Sequence, residues 1–477
     1  MITFLIAIAA LIVGYFTYGL FMARFFGADP KRPTPVTRHA DGVDFIQIPT
    51  WKAFVIQFLN IAGLGPIFGA ILGAMYGPVA YIWIVLGCIF MGAVHDYFSG
   101  MLSIRHDGAN LPEIVRHYLG RNAGIVLRVF TILLLVCVGV SFVKGPAELL
   151  ASLTGFSGSV GMTVWIVAIF GYYIVATLLP INQIIGRIYP FLGATLLIMA
   201  LMIGGAMLYY TATGQMTMTE LSASQLRNMH SNPESNILFP MLFVVISCGA
   251  ISGFHSTQSP LMARTIKNEK YGLPIFYGAM IAEGIMTLIW ATVAINYFGN
   301  TGELNDFITS GHTPAYLVNE ICNHWLGKVG AVLAIIGIIA CPITTGDTAF
   351  RSARLTIAET FRKNQAKLKN RLLITLPMFA VAIIMSQMTF STIWNYVGIS
   401  NQVLSVIMLW TAATYLKKNH KPHWLLSVPA LFMTCVCTSY FLVAPGKVGG
   451  LSCDPTVSYI TAAVFCTVCA AWFLKKK

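Results

Sequence analysis

The chain has 477 residues, 57% of them hydrophobic and only 10% charged, with a formal net charge of +13. Soluble domains carry about 25% charged residues, so this composition excludes a soluble enzyme and reads as one polytopic membrane domain over residues 1–477. The positive charge collects in short loops between apolar runs, where anionic lipid headgroups are its natural partner, and no nucleic-acid partner is expected.

The apolar runs predict an all-α protein with about thirteen transmembrane helices. They fall at 2–26, 53–77, 79–103, 124–147, 161–181, 186–210, 237–263, 273–297, 329–350, 371–388, 391–416, 424–444 and 456–474. Residues 2–23 have no basic residue ahead of them and Arg24 follows, which predicts a retained first span with its N-terminus outside rather than a cleaved leader. Alternating the sides places Lys31, Arg32, Arg38, Lys52, Arg105, Arg116, Arg121, Arg187, Arg264, Lys267, Lys270, the cluster from Arg351 to Arg371, Lys417, Lys418, Lys421 and Lys475 to Lys477 inside. The loops left outside are acidic or mixed, with Glu148, Glu220 and Arg227, Glu303 and Asp306 against Lys328, and Lys447 with Asp454. This is the positive-inside pattern and predicts a cytoplasmic C-terminus. Between the third and fourth spans, NLPEIVRHYLG (110–120) predicts a short amphipathic helix on the membrane surface, and the long polar loop 211–236 predicts an external lid or gate.

Two spans are interrupted. NIAGLGPIFGA (60–70) places Gly63, Gly65, Pro66 and Gly69 in the middle of an apolar segment, and SCGAISGFHSTQSP (247–260) combines glycines, a proline and hydroxyls in another. Proline removes an amide donor and glycine makes unwound backbone cheap. In lipid each freed backbone group costs several kcal/mol unless protein, an ion or a ligand satisfies it. The breaks therefore predict two halves of a binding site near the midplane. They lie in the second and seventh spans, which cross in opposite directions. That predicts a five-plus-five inverted repeat, 53–210 against 237–416, with 2–26 as an extra first helix and 424–474 as two extra C-terminal helices.

Polar residues within spans mark candidate chemistry. Around the breaks, Gln57, Asn60, the backbone of Gly63, Leu64 and Gly65, and Ser252, His255, Ser256 and Gln258 are candidate substrate contacts. Amides at the start of the outer half-helix favour a carboxylate. In CPITTGDTAFR (341–351), Thr344, Thr345, Asp347 and Thr348 cluster oxygens within about one turn, which suits sodium or a proton. The structural alternative is an ion pair from Asp347 to Arg351. His95, Asp96, Lys144 and Glu283 are candidates for a proton relay or gate. Their structural alternatives are an Asp96–Arg105 pair and a Lys144–Glu148 pair. Cys322 and Cys453 fall in outer loops, where a disulfide is open. The CxxC at Cys466 and Cys469 lies in an apolar segment and reads as packing.

In these segments the sequence resembles the carbon starvation (CstA) family. The likeness is strongest in NIAGLGPIFGAILGA (60–74), GAVHDYFSG (92–100), LPEIVRHYLG (111–120) and TTGDTAFR (344–351). The resemblance implies a LeuT-like fold of the amino acid–polyamine–cation superfamily in the bacterial inner membrane. It also implies proton- or sodium-driven symport of a small anionic metabolite such as pyruvate or of a short peptide, with no other cofactor. Its coupling site would lie between spans 2 and 9, which adds Ala62 to Thr344, Thr345, Asp347 and Thr348. TTGDTA also resembles an intramembrane aspartyl protease signature, but Thr344 stands where that signature has glycine, and there is no HExxH. No selectivity-filter repeat argues for a channel.

Overall fold

The computed structural model describes residues 1–155, 158–179, 185–388 and 390–475, and every regular element among them is a helix. They run as α1 (Ile2–Phe26), α2 (Thr50–Ile61), α3 (Gly65–Ala74), α4 (Ala80–Arg105), α5 (Leu111–Leu119), α6 (Arg121–Leu153), α7 (Gly158–Leu178) and α8 (Ile185–Ala212). The second half holds α9 (Leu238–Leu242 continuing as Phe243–Val245), α10 (His255–Ala263), α11 (Glu269–Tyr297), α12 (Thr301–Thr309) and α13 (Pro314–Ile335). It ends with α14 (Cys341–Thr360), α15 (Leu368–Met385), α16 (Phe390–Lys418), α17 (Trp424–Val443) and α18 (Pro455–Lys475).

Ten helices are long and apolar enough to cross a membrane, and eleven if α2 and α3, bent by 56° at their break, count as one span. The two remaining predicted spans fall short for visible reasons. Residues 237–263 are split into the short α9 and α10. Residues 329–350 lie in a helical stretch that turns sharply at Gly327 (φ 57°, ψ −143°) and runs through Ile336–Ala340 into the polar α14.

Burial grades the helices. Over its apolar window α11 is 83% buried, whereas α1 is 28% and α18 only 17% buried, so α11 lies at the centre and the two end helices at the lipid-facing periphery. The amphipathic α5 buries Leu111, Ile114, Val115 and Tyr118 against α6 and α16, so protein rather than lipid covers its apolar face. Loop 211–236 is tied down over the helix ends: Thr219 N donates to Asn296 Oδ1 (2.6 Å), Met229 N to Tyr76 O (3.2 Å) and Ser231 N to Asn305 Oδ1 (3.0 Å).

The sequence left a Cys322–Cys453 disulfide open; in the structure both are free thiols, as all ten cysteines are, with Cys322 buried and Cys453 half-buried. At the basic end of the bundle, ion pairs tie elements together. Arg105 meets Glu269 at 3.2 Å and Arg264 meets Glu359 at 2.9 Å. Asp44, in the loop before α2, meets Arg351 at 3.2 Å and Arg354 at 3.3 Å. Burial raises the pKa of Asp44, but the guanidiniums of Arg354, Arg351 and Arg264 outweigh it and hold the carboxyl below its usual value.

Candidate functional site

The two breaks are in direct contact, and glycine is the reason. Gly65, Gly69 and Gly73 recur every four residues on one face. A Cβ on Gly65 would lie 2.3 Å from Cys248 Sγ, on Gly69 2.9 Å from Val245 O, and on Gly73 2.2 Å from the Ile246 side chain. Small residues at this spacing let two membrane segments approach backbone to backbone.

Each break accounts for its own backbone groups in part. At the first, α2 closes with Ala62 N on Phe58 O (2.8 Å), and α3 opens with Phe68 N on Leu64 O (2.8 Å). At the second, α9 closes with Ile246 N on Leu242 O (3.0 Å), Ser247 O takes the amide of Ile251 (2.9 Å), and Gly249 adopts φ +87°. Asn401 of α16 finishes the second break, accepting at Oδ1 from Phe254 N (2.5 Å) and Ser252 Oγ (3.1 Å). Asn401 escaped the sequence reading; the polar run Ser400, Asn401, Gln402 inside an apolar span was the available signal.

Between the breaks lies a cavity of about 230 Å³. Its wall includes Gly63, Gly65 and Gly69 from the first break, Val245, Ser247 and Cys248 from the second, and Phe142, Thr345 and Asn401 from neighbouring helices. The candidate contacts Gly63 and Gly65 are thus on the wall. Asn60, Leu64, Ser252, His255, Ser256 and Gln258 are buried beside the breaks without lining it.

Beneath the second break is a buried polar chain. His95 Nδ1 and Asp96 Oδ1 are 2.8 Å apart, Asp96 Oδ2 and His255 Nδ1 are 2.8 Å apart, and His255 Nε2 lies 3.5 Å from Glu283 Oε2. All four residues are 0% exposed. The Asp96–Arg105 pair is therefore not formed; Arg105 is taken by Glu269. The amides of Gln57 and Asn60, Gln258 Oε1 and both Glu283 oxygens have no hydrogen-bond partner among the described residues.

The oxygen-rich α14 is split in its roles. Thr345 Oγ1 lies 3.1 Å from Cys341 O and 3.4 Å from Leu59 O, beside the first break. Cys341 Sγ sits 3.9 Å from Ala62 O. Thr344 and Thr348 bond back along their own helix, at 2.8 Å and 3.0 Å. Asp347 accepts from the Tyr189 hydroxyl, and its Oδ1 has no partner among the described residues. The expected alternative, an Asp347–Arg351 pair, is not formed, because Arg351 turns to Asp44 and to the carbonyls of Ala176 (2.6 Å) and Leu179 (3.0 Å). Lys144 Nζ donates to Met388 O and does not line the cavity; the side chain of Glu148, its expected partner, lies outside the described residues.

The model of the carbon starvation protein CstA family matches residues 1–175, 147–305 and 302–440. The chain belongs to the CstA family. An uncharacterized membrane protein of Haemophilus influenzae is 42% identical over 65% of this chain and 95% of its own. A Campylobacter jejuni relative named peptide transporter CstA is 25% identical over 91% of this chain and 78% of its own. The pyruvate/proton symporter BtsT of Escherichia coli is 27% identical over 60% of this chain and 48% of its own, so the match spans about half of that CstA-related symporter. Among solved structures, Mhp1, a nucleobase-cation-symport-1 family transporter, aligns with TM-score 0.54 at 14% identity over 92% of this chain and 96% of its own. The likeness is one of fold.

Proposed function

We propose that this chain is a secondary active transporter that imports a small carboxylate such as pyruvate together with a proton or a sodium ion, by alternating access across the bacterial inner membrane. The observation that carries the reading is the cavity where two interrupted helices meet. Interrupted backbone at membrane depth is stable only around a site that satisfies it. The fold likeness to Mhp1 and the transporter names of the relatives support the same class, and nothing in the site calls for catalysis.

In this reading thirteen helices cross the membrane. Residues 53–210 and 237–416 form the inverted repeats, 2–26 and 424–474 are additions, the N-terminus is outside and the C-terminus cytoplasmic. The substrate sits against Gly63 and Gly65 on the cavity wall, with Leu64, Ser252, His255, Ser256, Gln258 and Asn60 behind them. The cation is held by Ala62, Thr344, Thr345, Asp347 and Thr348. Thr345 supports this best, because it lies on the cavity wall with two carbonyls in reach. His95, Asp96 and Glu283 supply a proton path, and Lys144 belongs to the gate. The Asp44–Arg351–Arg354 cluster seals the cytoplasmic side while the cavity is loaded.

Short-peptide uptake is the second reading, favoured by the peptide transporter names among the relatives. The cavity of about 230 Å³ is below the roughly 300–1,000 Å³ usual for larger ligands, which supports the smaller substrate. Labelled pyruvate uptake into proteoliposomes under separate inward proton and sodium gradients decides. Concentrative uptake under one gradient identifies substrate and ion together. Absence of pyruvate uptake and binding, with peptide binding on the same preparation, replaces the carboxylate by a peptide.

A further inference from the structure

The buried chain below the second break ends in an unusual donor set. Cys248 offers a thiol sulfur, His255 an imidazole nitrogen and Glu283 a carboxylate oxygen, all within 4.8 Å of one another. They come from three places in the fold: the second break, the first residue of α10 and the middle of α11. The Asp96 carboxylate at His255 Nδ1, 2.8 Å away, holds a proton on that nitrogen. The lone pair then belongs to Nε2, which is the arrangement of a metal-ligating histidine backed by a carboxylate. His95, 2.8 Å from the other Asp96 oxygen, fixes that carboxylate in turn.

The ligand side of the cluster is unfinished. His255 Nε2 and Glu283 Oε2 are buried facing only each other, too far apart for a good hydrogen bond, and Glu283 Oε1 has no hydrogen-bond partner among the described residues. In a membrane core such groups are costly unless a proton or cation compensates them. His255 Nε2 and Glu283 Oε2 are 3.5 Å apart. Two ligands on one tetrahedral ion with bonds of about 2.0–2.3 Å are separated by about 3.3–3.7 Å, so this pair already has the right spacing. The sulfur lies within 4.8 Å of both. A mixed sulfur, nitrogen and oxygen set selects a borderline-soft divalent cation, whereas sodium and magnesium prefer oxygen alone.

We propose that Cys248, His255 and Glu283 form a binding site for a divalent cation of the zinc class, with Asp96 as the positioning carboxylate behind His255. Cys248 is the member that lines the cavity, so the ion enters from there and keeps a fourth coordination position toward it. Bound zinc ties the second break to α11 and arrests the relative movement that alternating access requires. The site does not depend on which substrate is carried.

The test is a cobalt(II) titration of the purified full-length protein in detergent, read by thiolate-to-cobalt charge-transfer absorption. One equivalent of cobalt should develop the band, and zinc should displace it. Cys248→Ser should abolish the band and Asp96→Asn should weaken binding about 10–100-fold, while Cys453→Ser leaves both unchanged. A second measurement needs no variant: zinc should protect Cys248 selectively from thiol alkylation in the wild-type protein, mapped by mass spectrometry. No band at saturating cobalt, a band that survives Cys248→Ser, or alkylation of Cys248 undiminished by zinc overturns the proposal.

Discussion

Replacing Gly65 by alanine tests whether the two breaks hold each other in place. The added Cβ would lie 2.3 Å from Cys248 Sγ and 2.5 Å from Cys248 Cβ, against 3.4–4 Å for ordinary contact. Rotation about χ1 moves the thiol but leaves Cys248 Cβ in place at 2.5 Å, so it does not relieve the clash. The segments must part by about 1 Å, and overpacking of this kind costs about 1–3 kcal/mol. The assay is denaturation of the detergent-solubilised protein for Gly65→Ala, Cys248→Gly and the pair. If the contact is the cause, the double variant recovers much of the loss, with a coupling energy of about 0.5–3 kcal/mol. Gly205→Ala is the control: nothing lies within 4 Å of its new Cβ, and a helical glycine-to-alanine change should be neutral or stabilising by about 0.5–1 kcal/mol. A Gly65→Ala variant as mild as Gly205→Ala, or a strictly additive double variant, refutes the reasoning.

Asp44→Asn should destabilise by about 3–5 kcal/mol, because it leaves Arg351 and Arg354 buried without their shared carboxylate; thermal unfolding reads it. The folded pKa of Asp44 is lowered, so its contribution is complete above the unfolded value and lost only as pH falls through the folded one. The gap between wild type and Asp44→Asn should therefore stay constant across neutral pH and close only in strong acid. Asn401→Ala should cost about 1–3 kcal/mol by stripping the acceptor from Phe254 N and Ser252 Oγ; an unchanged denaturation midpoint would show that the second break does not need its cap. Asp347→Asn should abolish gradient-driven uptake while equilibrium substrate binding persists, and intact concentrative uptake would make Asp347 structural.

The breaks were legible because glycine and proline act locally: Gly63, Gly65, Pro66 and Gly249 leave a mark in the sequence wherever they fold. That the breaks touch was not, since the 65, 69, 73 glycine stripe shows a face without naming what it meets. Ion-pair partners failed for the same reason. Asp347–Arg351 and Asp96–Arg105 are the pairs that sequence proximity offers, yet the structure joins Arg351 to Asp44, 307 residues away, and Asp96 to His255, 159 residues away. Buried charges take the partner that desolvates with them, and that partner is set by packing. Cys248 carries no mark of its own in the sequence; the fold of the second break places it against His255 and Glu283.

The cavity wall bears on how an anion would be held. None of its described lining residues is a lysine or arginine, so a carboxylate would have to bind to dipoles: the Ser247 hydroxyl, the Asn401 amide and the positive end of the α3 dipole, whose Ile67 and Phe68 amides are already taken by Leu64 O (3.3 and 2.8 Å). The N-terminal end of a helix is the positive end of its dipole, which stabilises an anion without a counter-charge. A neutral wall has a mechanistic advantage over a lysine. It would hold the proposed anion loosely enough to release it, and would leave the net charge of the loaded site to the proposed coupling cation. With substrate alone the cavity is negative and costly to enclose; with a cation beside Thr345 the pair is neutral and the core can close around it. For the proposed carboxylate symport, coupling would then follow from the electrostatics of enclosure, and substrate binding should weaken only modestly with ionic strength.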